Sequence, residues 1–249
     1  MPKTKRRVFK RDDGRNPDDL RPVKFKKGVA PAALSSVLIR MGNTQVICAV
    51  SIEESVPRWM KIQKVEGGWV TAEYSMLPYA NPERSRREVT AGKVNGRTQE
   101  IQRLIGRSLR AAVDLKLLGS RTLWIDCDVL QADGGTRTAS ITGTFAALHM
   151  AINKLLKQGI LTSNPIREPV AAISVGLVDG IPLLDLCYTE DVAAEVDMNI
   201  VITGSGKLVE VQGTAEDQPF SKAQFNRMMK LAEKGIKELV EAQQTVSHV

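Results

Sequence analysis

Leu123, Ile125, Cys127 and Val129 alternate with Trp124, Asp126 and Asp128, the two-residue period of a strand with one buried face. Residues 138–157 then change to a helical period and stop at Gly159. Between the two lies Asp133-Gly134-Gly135-Thr136-Arg137-Thr138-Ala139-Ser140, so a double glycine joins a strand to a helix. The rest of the chain must be built around that junction. Ser36 to Arg40 and Thr44 to Val50 flank the turn signal Met41-Gly42-Asn43 and read as a hairpin. Two more hairpins follow, Val170–Val178 with Leu183–Cys187 around Asp179-Gly180, and Met198–Thr203 with Leu208–Gln212 around Gly204-Ser205-Gly206. Helical periods cover Thr98–Leu118 and about 221–242. Pro57 to Gly96 is broken by Gly67-Gly68, Pro78 and Pro82 and carries the polar run Pro82–Glu88, the mark of an exposed loop. Two hairpin-rich halves with crossing helices make an α+β class, a mixed sheet packed with helices, without a clear internal repeat. The expected division is a basic arm at 1–14, a single domain at 15–243 and a short tail at 244–249.

With 249 residues, 43% hydrophobic and 25% charged, the chain can bury a sizeable core and is not a disordered polymer. A net charge of +7 favours polyanionic partners, since phosphate contacts release condensed counterions. Cys48, Cys127 and Cys187 lie far apart, with no CxxC pair and no histidine at metal spacing, which argues against zinc and for a reducing compartment. No run of eighteen apolar residues and no apolar segment after the basic N-terminus exist, so the expectation is a cytoplasmic protein with no membrane span.

The junction has the parts of an anion site. A helix N-terminus leaves N–H groups unpaired at the positive end of the macrodipole. Gly135 allows close approach, Thr136, Thr138 and Ser140 offer hydroxyls, and Arg137 supplies a planar fork. The same residues equally suit an ordinary turn and helix cap. Arg97, in Asn95-Gly96-Arg97-Thr98, also opens a helix, so the two sites can converge on one anion. Arg103, Arg107 and Arg110 continue along it as a basic stripe, suited to RNA, to an interface or to solvent. Gly204-Ser205-Gly206-Lys207 lacks the earlier glycine and the following Ser or Thr of a P-loop and is a turn.

Asp185, Glu190, Asp191, Glu195 and Asp197 cluster between two strands. Carboxylates without His or Cys suit a hard cation such as Mg²⁺, with an acidic solvated loop as the alternative. His149 and His248 have neither a serine nor a cysteine partner in the pattern, which disfavours protein nucleophiles.

Together, Arg21-Pro22, Cys48–Glu54, Gly68–Pro78, Gly96–Arg107, Asp126–Gly143 and Val209–Glu216 resemble the ribonuclease PH family, over about Arg15 to Gln243. The resemblance implies a ribosomal protein S5 domain 2-like fold and a hexamer built as a trimer of dimers. It implies a phosphorolytic 3′-to-5′ exoribonuclease that trims tRNA precursors and other RNA with single-stranded 3′ ends. Inorganic phosphate is the co-substrate, Mg²⁺ the cofactor, and nucleotidyl addition from nucleoside diphosphates the reverse reaction. By motif match Arg97, Gly135, Thr136 and Arg137 form the phosphate site with Thr138 and Ser140 beside it, Asp191 and Asp197 hold the metal, and Arg97, Arg137, Asp191 and Asp197 are catalytic. Arg84, Arg86 and Arg87 fall in the loop that presents arginines to tRNA. A catalytically silent RNA-binding ring subunit, a hydrolytic nuclease and a small-molecule phosphotransferase are the competing expectations.

Overall fold

A computed structural model describes residues 11–216 and 218–247, so residues 1–10 of the expected arm and His248 lie outside the described residues. In chain order the elements are β1 (Val23–Lys27), β2 (Ser35–Met41), β3 (Thr44–Glu53), α1 (Arg58–Gln63), β4 (Trp69–Met76), α2 (Gly96–Ala112), β5 (Thr122–Gln131), α3 (Thr136–Lys157), β6 (Val170–Val178), β7 (Ile181–Leu184), α4 (Tyr188–Ala193), β8 (Val196–Thr203), β9 (Leu208–Ala215) and α5 (Lys222–Ser247). The first sheet has the order β1-β2-β3-β5-β4, antiparallel except where β4 runs parallel to β5. The second has the order β7-β6-β8-β9 and is antiparallel throughout.

Helix α3 lies between the sheets, against β2 and β3 on one side and β6 on the other. Its residues Ala139 to Leu148 are all buried, so it is a core element whose apolar residues face every direction. Strand β6 is buried at all nine positions, with α3 and α5 both packed against it. Truncating Ile141 or Leu148, both fully buried, to Ala costs about 2–5 kcal/mol. Among the described residues no helix is long and apolar enough to cross a membrane.

The three hairpins form as the alternation predicts, but four segments differ. The broken stretch from Pro57 holds α1 and β4, with Val70, Ala72 and Tyr74 facing inward. Strand β1, with only Val23 and Phe25 as apolar residues, pairs with β2. The helix expected to reach Leu118 ends at Ala112. Val113 turns extended to bridge Ile166, and the Asp114 side chain accepts from Lys116 N to cap a separate 3₁₀ turn, Leu115–Leu118. The strand expected through Cys187 stops at Leu184, where Asp185 enters the left-handed region at φ 55°. The basic stripe divides. Arg103 is exposed, Arg107 pairs with Glu210, and Arg110 stacks 4.5 Å over the Trp69 ring while donating to Val70 O.

Candidate active site

Strand β5 delivers the chain to the double glycine, and the turn is pinned from several sides. Thr44 Oγ1 accepts from Asp133 N at 3.0 Å and donates to Gly134 O at 2.7 Å, and Asn43 Nδ2 donates to Asp133 Oδ2 at 3.1 Å. Arg21 donates to Asp133 O. Gly134 and Gly135 both have positive φ, at 71° and 64°. A Cβ on Gly134 would come within 2.5 Å of Leu186 O, so glycine here lets the segment after β7 pack against the turn. Tyr188 N donates to Asp133 Oδ1 at 3.2 Å and closes that contact. Helix α3 begins at Thr136 with no side-chain cap, which leaves its leading N–H groups free for an anion.

The turn forms one wall of a cleft of about 830 Å³, with Tyr74, Arg84, Arg97, Arg137, Asp191 and Asp197 among its lining residues. Arg97, exposed in the first turn of α2, and Arg137, in the first turn of α3, come from different helices and both act on the charge of Asp191. Asn95 caps α2 by accepting from Thr98 N at 2.7 Å, so at this helix the arginine is what remains for a ligand. Thr136 Oγ1 accepts from the buried Tyr74 hydroxyl at 3.0 Å, which fixes its orientation.

The acidic segment is sorted by its partners. Arg21 grips buried Asp185 through Nε at 3.0 Å and Nη2 at 2.7 Å, and Arg21 N donates to the same carboxylate at 2.8 Å. Arg11 grips Glu190 through Nε at 2.6 Å and Nη2 at 2.5 Å, and reaches Leu184 O and Asp185 O. Although Glu190 is partly buried, the Arg11 pairing and the Cys187 backbone hold its carboxyl below the usual range. Glu195 accepts from Gly180 N in a hairpin turn.

Asp191 and Asp197 face the cleft instead. Burial pushes Asp191 above the usual carboxylate range, opposed by Arg97 and Arg137. Burial and then the Asp191 charge push Asp197 up to about 6. Its Oδ2 accepts from Asn199 Nδ2 at 3.2 Å, while Oδ1 is buried with no partner among the described residues. Two neighbouring carboxylates with an unpartnered buried oxygen and no sulfur or imidazole fit a hard dication. No group of three or more metal-binding side chains occurs among the described residues, so such an ion would keep water or phosphate oxygens in its shell.

The structure therefore brings Arg97, Gly135, Thr136, Arg137, Asp191 and Asp197 together. Thr138 and Ser140 are not brought to the cleft. Both are buried, and their hydroxyls donate back to Gly135 O and Thr136 O, the local bonding that short hydroxyls favour near a helix start. Of the loop arginines Arg84 lines the cleft, Arg86 is exposed, and Arg87 acts on the charge of Asp128. Tyr74, Ser174 and Asn199 also line the cleft and were not singled out from the sequence. Their signal is inward alternation for Tyr74 on β4, whereas Ser174 and Asn199 sit in apolar strands with no local mark.

Comparison with known proteins identifies the family. The model of the 3′ exoribonuclease family, domain 1, matches residues 19–173, and that of domain 2 matches 168–235. Ribonuclease PH of Corynebacterium efficiens is 58% identical over 235 residues, 94% of this chain and 95% of that protein. Ribonuclease PH of Solibacter usitatus is 56% identical over 236 residues, 95% and 98% of the two chains. The crystal structure of rice (Oryza sativa) Rrp46 superposes with a TM-score of 0.75 at 19% identity, covering 96% of this chain and all of that one. A chain of the Archaeoglobus fulgidus exosome with RNA bound to the active site gives 0.77 at 22% identity, covering 93% and 92%. These structures share the ribosomal protein S5 domain 2-like fold. Matched along nearly its whole length, the protein belongs to the ribonuclease PH group of the 3′ exoribonuclease family.

Proposed function

We propose that this cleft carries out the phosphorolysis that belongs to a ribonuclease PH, with inorganic phosphate held by Arg97, Arg137 and the opening turn of α3. The observation that carries the assignment is the convergence of two arginines from two helices on an uncapped helix N-terminus, opposite Asp191 and Asp197. An oxygen of the bound phosphate attacks the phosphorus of the last phosphodiester. The bond from that phosphorus to the penultimate 3′ oxygen breaks, a nucleoside diphosphate leaves, and the proton of the phosphate ends on the new 3′ hydroxyl. Because a phosphodiester is exchanged for a phosphoanhydride, the same site supports nucleotidyl addition in reverse.

In phosphoryl transfer the protein contributes positioning and charge. Arg97 and Arg137 bind and orient the nucleophile and balance its negative charge beside the RNA phosphate. Thr136, held by Tyr74, offers a fixed oxygen at the helix start. Asp191 and Asp197 would hold Mg²⁺, which when bound neutralises charge on the transferred group and on the leaving oxygen. Arg84 lines the cleft, and in this reading it contacts the phosphates of the RNA together with Arg86 and Arg87 further along the loop. The resemblance carried by the motifs extends the proposal to tRNA precursors with single-stranded 3′ ends, to a cytoplasmic setting and to a hexameric trimer of dimers. It also treats residues 15–243 as one working unit.

The test uses purified protein, Mg²⁺ and RNA with a short single-stranded 3′ tail, with and without inorganic phosphate. Nucleoside diphosphates released only with phosphate are expected. Monophosphates released without phosphate would make it a hydrolase, and RNA binding without any product would make it a silent ring subunit.

A further inference from the structure

Arg137 does not stand alone in the cleft. Its Nη1 donates to Gln212 Oε1 at 2.7 Å and to Glu100 Oε1 at 3.2 Å, and Gln212 Nε2 donates to the same Glu100 oxygen at 3.1 Å. The triangle ties three elements: α3 through Arg137, α2 through Glu100 and β9 through Gln212. Glu100 sits three residues beyond Arg97, on the same face of α2. A guanidinium is planar, and fixing one terminal nitrogen on two acceptors fixes the plane of the whole fork. Among the described residues no partner takes Nε or Nη2, the edge that can bind two phosphate oxygens at once.

Resting on the assignment of Arg137 to phosphate, we propose that Glu100 and Gln212 are positioning residues that aim this edge into the cleft. The opposite role for Glu100 is a resident anion that phosphate must displace. The geometry points away from it, because Glu100 takes only Nη1 and shares the same oxygen with neutral Gln212.

Phosphate saturation at fixed RNA separates these roles. A hydrogen bond to a charged group lost from the triangle is expected to raise the KM for phosphate roughly tenfold in Glu100→Ala and in Gln212→Ala, with the KM for RNA unchanged. The exchanged pair, Glu100→Gln with Gln212→Glu, keeps one carboxylate and one amide and is expected to recover most of the loss. Gln212→Ala, on a strand at the sheet edge, serves as the second variant if Glu100→Ala folds poorly. A lower KM for phosphate would make Glu100 a competitor and overturn the proposal, as would an unchanged KM in both single variants. Arg137→Ala is the control. If it leaves the KM for phosphate unchanged, the assignment of the phosphate site itself fails. If it raises that KM while the Glu100 and Gln212 variants stay silent, only the positioning role fails.

Discussion

Asp185 and Glu190 stand within a few residues of Asp191 and Asp197, yet the two pairs are opposites in the folded chain. Asp185 is fully buried and held by Arg21 through three hydrogen bonds, and Glu190 is gripped by both ends of the Arg11 fork. Asp191 and Asp197 receive no such partner, and Asp197 keeps a buried oxygen with nothing bonded to it. Carboxylates that are matched by arginines fix the loop. Carboxylates left short of partners in a buried setting are held ready for something absent from the chain itself, at a cost in stability. Partner count, and not acidity or proximity in sequence, separates the structural carboxylates from the candidate functional ones here.

The largest effect should come from breaking a matched pair. Arg21→Ala takes the guanidinium away from Asp185 at zero exposure, leaving it only the backbone N–H of residue 21 and Arg15 at 3.7 Å, and removes a tie to the Gly134 turn, so denaturant unfolding should show a loss of about 3–5 kcal/mol. A loss under about 1 kcal/mol would erase the distinction between the pairs, since that is the size expected of an exposed ion pair. On the functional side, Arg137→Ala should lower the rate by about 10²–10³ while the unfolding midpoint stays close to that of the parent protein. Parallel loss of stability and rate would instead make Arg137 a structural residue.

Arg11→Ala sharpens the contrast, because it loosens the matched Glu190 one residue away from the unmatched Asp191. A destabilisation of about 1.5–3 kcal/mol is expected, with a smaller loss of activity as α4 becomes less well placed. The smallest effect belongs to the loop. Reversing the charges of Arg84, Arg86 and Arg87 should weaken tRNA binding and reduce its salt dependence, leaving the chemical step nearly unchanged. An unchanged salt slope would return these residues to ordinary solvated surface.

Local patterns carried much of this into the sequence. The alternation of β5, the double glycine and the apolar period of α3 lie within one continuous segment, so the turn is legible there as a candidate anion site, and Arg97 and Asp191 are legible as candidates through their motifs. The clamps were not. Arg11 and Glu190 are 179 residues apart, and nothing local marks Arg11 as buried rather than part of a loose basic arm. Strand β4 was hidden because the glycines before it and Pro78 after it resemble loop punctuation, while its outward positions carry Glu73 and Ser75. Ser140 misled in the other direction. It looks like a phosphate donor by position, but one turn into a buried helix its hydroxyl faces the backbone. Glu100 and Gln212 belong to recognisable motifs, yet only the fold shows that both reach the same guanidinium.

The most direct test of the contrast is Asp197→Asn, with phosphate-dependent rate and unfolding midpoint measured on the same preparation. A rate lower by about 10²–10³ is expected in a protein at least as stable as the parent, because a buried carboxylate with only one of its two oxygens bonded has been replaced by a neutral amide. Near-normal turnover, or a destabilised protein whose activity falls only with its folded fraction, would contradict it.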